Sequence, residues 1–517
     1  MYKKLRHRKQ NFSYTLSAIR TTYFPRMSLA VAHIASEITP FAKTGGLAEV
    51  IGGLGPATAA LGNAPYFIMP RYRCVNVSEL TKLASVLSVR VGERKIAATI
   101  FQGRGLGDVP IYFIDIPEFF DRAGIYGESG RDYPDNLARF VAFCRASLAL
   151  ITSAQLPCDI LHAHDWQTGL LPLYLKSTHA ADPYFARTRS VLSIHNLGYQ
   201  GFFPVENFSA LGLEGRFCTP RFVEFYGLLN LLKAGIVSAD AITTVSPTYA
   251  HEVLTTTGGF GLDGVLRDRV SDFVGILNGI DAQRWNPATD EHLPAHFSHT
   301  QLRGKALVKQ ALQAECGLQV DAHRPLIGMV NRLVDQKGVD LVCEVIPQLL
   351  HTSAQWVLLG SGDPAFEKIL SDLAAAYPQQ IFVRVGFDEA LAHRIIAGSD
   401  FLLMPSRYEP CGLNQMYGMR YGTLPIARAT GGLCDTVHDV ATSRPKGTGI
   451  VFHDITAEAL HHAVLRAIEL FSKTTTLRTV RVRAMQQDFS WQHSAAAYVK
   501  LYAQVHNRPR SAIPMGM

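Results

Sequence analysis

The sequence predicts an α/β protein of two doubly wound, Rossmann-like domains facing each other across a central cleft. Three observations carry that reading. The chain has 517 residues, more than one hydrophobic core sustains. Short apolar and β-branched runs bounded by Gly, Pro and Asp recur along it, the pattern of strands buried on both faces. Helix-period segments separate those runs, and the alternation falls into two successive series.

The first series opens with LAVAHIASE (29–37), a turn with two glycines, the helical stretch GLAEVIGGLGPATAALG and the strand PYFIMP (65–70). IYFIDIP (111–117), CDILHAH (158–164), RSVLSIHN (189–196) and DAITTVSP (240–247) continue it, which assigns 27–272 to an N-terminal domain. The second series starts at FVGILNGID (273–281) and runs through PLIGMVNRL, QWVLLGSG, IFVRVGF, DFLLMPSRYEP and TLPIARA, assigning 273–487 to a C-terminal domain. In 488–517 the stretch FSWQHSAAAYVKLYAQV is helical and amphipathic and is expected to pack back across both halves. No solenoid period is present.

Residues 1–26 stand apart. They hold seven Lys and Arg and no Asp or Glu, so they account for the whole formal charge of +7 and leave the rest of the chain balanced. This extension reads as a transit peptide or as an upstream start before Met27. A neutral body offers no electrostatic footprint for nucleic acid. No apolar run reaches the roughly eighteen residues of a membrane span, so no membrane partner is expected. Eight cysteines lie scattered without a C-x-x-C pair, which encodes neither a zinc site nor a disulfide framework and suits a reducing compartment.

Ligands of such sheets bind beyond the strand tips, which puts the candidate ligand contacts in the turns. Lys43-Thr44-Gly45-Gly46-Leu47 sits between the first strand and helix, where paired glycines permit close backbone approach and free N–H groups favour an anion. It lacks the order of a Walker A loop. His162-Ala163-His164-Asp165-Trp166 crowds polar groups at a strand tip, with no third ligand at convincing spacing for a metal. His195 repeats the pattern one strand on. Arg332 and Lys337, five apart in a strand-to-helix turn, could both reach one diphosphate, the planar fork beside the point charge. Ser406-Arg407-Tyr408-Glu409-Pro410-Cys411-Gly412-Leu413 places a carboxylate just before a helix. Gly360-Ser361-Gly362-Asp363 is a weak dinucleotide-like turn.

Together these motifs resemble bacterial glycogen synthases and plant starch synthases. The set includes K-T-G-G-L at 43–47, H-A-H-D-W at 162–166, S-I-H-N-L at 193–197, V-S-P-T-Y at 245–249, L-N-G-I-D at 277–281, R-L…Q-K-G at 332–338 and P-S-R-Y-E-P-C-G-L at 405–413. It runs in order from about Ala30 to Tyr502. The resemblance implies a GT-B fold, ADP-glucose as donor, an α-1,4-glucan (glycogen or starch) as acceptor, and transfer to its non-reducing end with retention. It implies no cofactor and no metal, and a cytoplasmic location, or the plastid stroma if 1–26 is a transit peptide. A UDP-glucose-using transferase and a non-catalytic glucan-binding paralogue are the rival readings. The joint presence of Lys43, Arg332, Lys337 and Glu409 argues against the paralogue.

By the same resemblance, Lys43, Gly45 and Gly46 contact ADP-glucose, and Arg332 with Lys337 clamps the diphosphate. Glu409 lies beside the donor glucose, with Cys411, Gly412 and Leu413 nearby. His195 stands near the reacting sugar, Asp165 is the essential aspartate, Tyr126 lies near the donor and Asn278 lines the cleft. Phe387 replaces a tyrosine that stacks on adenine. Glu49 replaces an aspartate and Asn331 departs from the common S-R-L. Retention without an evident pair of carboxylates points to front-face transfer, in which the departing diphosphate takes the proton of the incoming hydroxyl.

Overall fold

The computed structural model describes residues 28–128, 130–443 and 445–509; the basic extension 1–26 lies outside them. A nine-stranded sheet runs, neighbour to neighbour, Phe273–Gly275, Ala241–Thr244, Arg189–Ile194, Ile160–His164, Ala30–Ile34, Ala64–Pro70, Pro110–Asp115, Arg94–Arg104 and Thr81–Val91. The first seven pair in parallel, and the last two are an antiparallel addition at the edge. A six-stranded sheet, parallel throughout, runs Ile381–Val385, Gln355–Gly360, Leu326–Val330, Phe401–Met404, Leu424–Arg428 and Ile450–Phe452.

The central strands are buried along their whole length, as Ala30–Ile34, Ile160–His164 and Phe401–Met404 illustrate. Helices cover both faces of each sheet, which is why these segments read as continuous apolar runs and not as alternating ones.

One strand differs from expectation. Phe273–Gly275 is the edge of the first sheet, with Phe273 opposite Ile242, and the second sheet opens at Leu326. A three-residue apolar run carries no mark of the sheet it joins; its pairing with Ala241–Thr244 is a long-range choice. The antiparallel hairpin 81–104 and the small sheet of Phe202–Pro204, Leu228–Asn230 and Glu224–Phe225 had no reading in the sequence.

The last helix, Trp491–His506, lies along Gly46–Ala60 behind the first sheet. The indole of Trp491 occupies the space over Gly53, where a Cβ would stand 2.0 Å from its Nε1, so this crossing requires glycine. The Ile280 N–H donates to the Phe489 carbonyl at 2.8 Å, placing the two chain crossings between the domains side by side. Among the described residues, no helix is long and apolar enough to cross a membrane.

Candidate active site

The parallel strands of each sheet reverse their order once: the first between Ala30–Ile34 and Ile160–His164, the second between Leu326–Val330 and Phe401–Met404. At such a reversal the connecting helices part to opposite faces and leave a crevice beyond the carboxyl ends of the strands. The segments following those four strands line one cavity of about 510 Å³. It takes in Glu37, Lys43–Leu47, Glu49, Asp165, His195, Arg332, Lys337 and Glu409–Asn414.

The backbone of Asp165 stands at φ 58°, ψ −172°, a region almost confined to glycine. Its own hydrogen bonds hold it there. Its N–H donates to the Ser193 carbonyl at 2.9 Å, and its carboxylate accepts from the N–H of His195 at 2.7 Å and of Asn196 at 3.4 Å. Asp165 therefore braces the backbone that carries His195. Burial pushes its carboxyl up to about 7, against the pull of those two donors. Burial likewise holds His195 down at about 3, so it is neutral.

In the second domain Lys337 Nζ lies 2.6 Å from the Glu409 carboxylate, which also accepts from Ser406 Oγ at 2.8 Å. Arg332 is exposed; it donates across the cleft to the Tyr199 hydroxyl at 3.0 Å and to Gln336 Oε1 at 3.2 Å. Gly412 sits at φ 71°, and a Cβ there would fall 2.5 Å from Gln415 Oε1. The Leu413 side chain reaches within 3.8 Å of the Cβ position of Gly46, so the domains meet at this point. Cys411 is buried, and burial pushes its thiol up to about 12, which rules it out as a nucleophile at neutral pH.

The glycine turn differs from its reading as a set of free amides. The Thr44 and Gly45 N–H groups and the Thr44 hydroxyl all donate to the Glu37 carboxylate, which also accepts from the Tyr126 hydroxyl at 2.5 Å. An anion finds the amides from Gly46 onward, together with Lys43. Lys43 is itself paired with Glu49 at 2.5 Å, and Glu49 lies 3.6 Å from Arg284. The extra methylene of Glu49 is thus used to bridge two cations. Glu37, only 3% exposed, is marked in the sequence only by its place, a carboxylate three residues beyond the first strand at a strand-order reversal.

Every candidate residue lines the cavity except Phe387, which is 81% exposed and outside its wall. The Gly360–Asp363 turn also lies outside. Asp363 caps the helix Pro364–Ala376 by accepting from the Ala365 N–H at 2.8 Å, a structural role.

Residues 30–268 match the family described as the starch synthase catalytic domain, and 317–477 match glycosyl transferases group 1. A glycogen synthase from Anaeromyxobacter dehalogenans (strain 2CP-C) is 47% identical over 475 residues, covering 92% of this chain and 99% of that protein. The chain belongs to the glycogen synthase and starch synthase family. Glycogen synthase 2 of Geobacter sulfurreducens is 44% identical over 92% of this chain and 98% of its own length. The catalytic domain of starch synthase IV from Arabidopsis thaliana, solved with ADP and acarbose, matches with a TM-score of 0.86 at 36% identity, covering 93% of this chain and 100% of that one. Sucrose-phosphate synthase from Thermosynechococcus elongatus matches with a TM-score of 0.59 at 18% identity, covering 92% and 99%, a likeness of fold alone. The two opposed sheets are the GT-B fold of the family. Its cleft here is joined across the domains by Ser246 Oγ donating to the Pro410 carbonyl at 2.6 Å and by Phe260 packing edge-on against Tyr408 at 5.1 Å.

Proposed function

We propose that the chain transfers glucose from ADP-glucose to the non-reducing end of an α-1,4-glucan, with retention at the anomeric carbon. The convergence of the candidate residues on one cleft, Phe387 excepted, carries this reading. The family assignment and the ADP and acarbose bound to the Arabidopsis relative support it.

In this reading the diphosphate lies between Arg332 and Lys337, and the glucose points toward Glu409 and His195. The bond from C1 to the diphosphate oxygen breaks through an oxocarbenium-like state, and the growing charge on the diphosphate is met by a guanidinium and an ammonium already in place. The acceptor 4-hydroxyl attacks C1 on the same face, and its proton passes to the departing diphosphate oxygen. ADP leaves without a separate acid. Asp165 holds the His195 backbone, Glu37 holds the glycine turn, and the contacts joining the domains exclude water that would hydrolyse the donor. Glu409 balances Lys337 until the diphosphate enters. Bacterial relatives support a cytoplasmic location.

The test is incorporation of label from radiolabelled ADP-glucose and UDP-glucose into a glucan primer, with and without a chelator. Incorporation from ADP-glucose, undiminished by the chelator, is expected. Incorporation from neither sugar, or preference for UDP-glucose, overturns the reading.

A further inference from the structure

Behind the cleft stands a row of histidines that the transfer chemistry does not use. His195 Nε2 lies 3.1 Å from His164 Nδ1, and His164 Nε2 lies 3.3 Å from His33 Nδ1. His33 and His164 are wholly buried, whereas His195 lines the cavity. At the inner end, His33 Nε2 is buried without a hydrogen-bond partner. At the outer end, among the described residues, His195 Nδ1 has no partner in the protein. His162 lies close by but outside the row, since its nitrogens are taken by the Tyr502 hydroxyl at 2.8 Å and Ser193 Oγ at 2.7 Å.

Burial keeps all three rings neutral, lowering His33 and His195 to about 3 and His164 well below its ordinary value. Each ring then has one N–H, and two ring-to-ring hydrogen bonds require the N–H groups to point the same way along the row. If they point inward, His33 Nε2–H is stranded in the core without an acceptor, and the cleft receives a lone pair. If they point outward, His33 donates to His164, His164 donates to His195, and only a lone pair is left in the core. Among backbone groups an orphaned buried N–H is rarer than an under-satisfied acceptor, and by the same preference the outward order is favoured. The hydrogen bond at one imidazole nitrogen fixes the state of the other.

We propose that His164 and His33 are positioning residues that lock His195 in its Nδ1–H tautomer, so that His195 presents a hydrogen-bond donor, and not a base, to the hexose in the cleft. A donor there suits a hydroxyl or ring oxygen of the sugar. It cannot take the acceptor's proton, which leaves the diphosphate oxygen as the base. The kinetic consequence rests on the cleft being the ADP-glucose site; the tautomer does not.

The experiment labels histidine with nitrogen and carbon isotopes and reads the protonated ring nitrogen of His195 by NMR in the ligand-free protein, with assignment by loss of its signals in His195→Gln. Protonation at Nδ1 is expected; protonation at Nε2 overturns the proposal. His164→Phe keeps a ring and removes both nitrogens. It is expected to give mixed tautomers at His195 and to lower kcat about tenfold or more, by analogy with the loss of partners that orient metal-binding histidines, with a smaller change in KM for ADP-glucose. His164→Asn retains a side-chain N–H near the Nδ1 position and is expected to restore the tautomer and most of kcat. Wild-type turnover in His164→Phe, or equal loss in both variants with equally lowered melting temperatures, overturns the relay. If His164→Phe fails to fold, the wild-type tautomer decides. If the wild type shows no ADP-glucose turnover, the proposed function fails while the tautomer still judges the relay.

Discussion

Lys337 Nζ rests 2.6 Å from the Glu409 carboxylate, and their side chains are only 13% and 7% exposed. The two sit on the loops after the strands Leu326–Val330 and Phe401–Met404, so one buried ion pair ties together the walls of the strand-order reversal. Removing one partner strands the other charge, a loss of about 3–5 kcal/mol where a buried pair is broken. Lys337→Met and Glu409→Leu are each expected to destabilise by that amount in urea denaturation, and the double variant by at least about 1 kcal/mol less than their sum. Simple additivity contradicts the pairing.

Arg332 behaves differently because it is exposed and, among the described residues, its side chain bonds only Tyr199 and Gln336. Arg332→Ala is expected to leave stability within about 0.5 kcal/mol and to cut kcat by about a hundredfold or more, as loss of a charge-stabilising donor does. The check is a melting curve beside a turnover assay. Loss of stability without loss of turnover contradicts the clamp.

The buried carboxyl of Asp165 couples stability to pH. Its ordinary value is 3.8 and its value in the fold about 7. Below the lower value both states hold the proton and its contribution is fully present. Between the two, the unfolded chain releases a proton that the fold retains, so stability falls with rising pH at about 1.4 kcal/mol per unit. Above about 7 both states are ionised and the difference is constant. The unfolding free energy of wild type minus that of Asp165→Asn, measured in urea across this window, is expected to fall from about pH 4 to 7 and then level. A flat difference contradicts the buried, raised carboxyl.

Phe387 is tested by separating binding from chemistry. With its ring 81% exposed, Phe387→Ala is expected to leave the melting temperature unchanged. If adenine stacks on it, KM for ADP-glucose rises by roughly tenfold, since base stacking on an aromatic contributes about 1–3 kcal/mol, while kcat holds. An unchanged KM removes Phe387 from the site.

The parallel strands of the two sheets were legible because strands buried on both faces leave continuous apolar runs, as in DILHAH and FLLM. The cleft was legible because Arg332, Lys337 and Glu409 follow such runs directly. Partnership was not legible. Phe273–Gly275 joins the first sheet through pairing with residues some thirty positions earlier, which no local pattern states. Glu37 holds the Thr44–Gly45 turn, and His33 reaches His164 across 131 positions, so each looked like an ordinary residue of a strand or its end. Nor does the sequence show the partners of Glu49, whose carboxylate bridges Lys43 and Arg284.

The most direct measurement is a crystal structure of the protein grown with ADP. The expected result places the diphosphate within hydrogen-bonding distance of both Arg332 and Lys337, its terminal phosphate toward Glu409 and His195. Nucleotide bound outside the cleft between the two sheets, or in it with the diphosphate turned away from both cations, would contradict the mechanism.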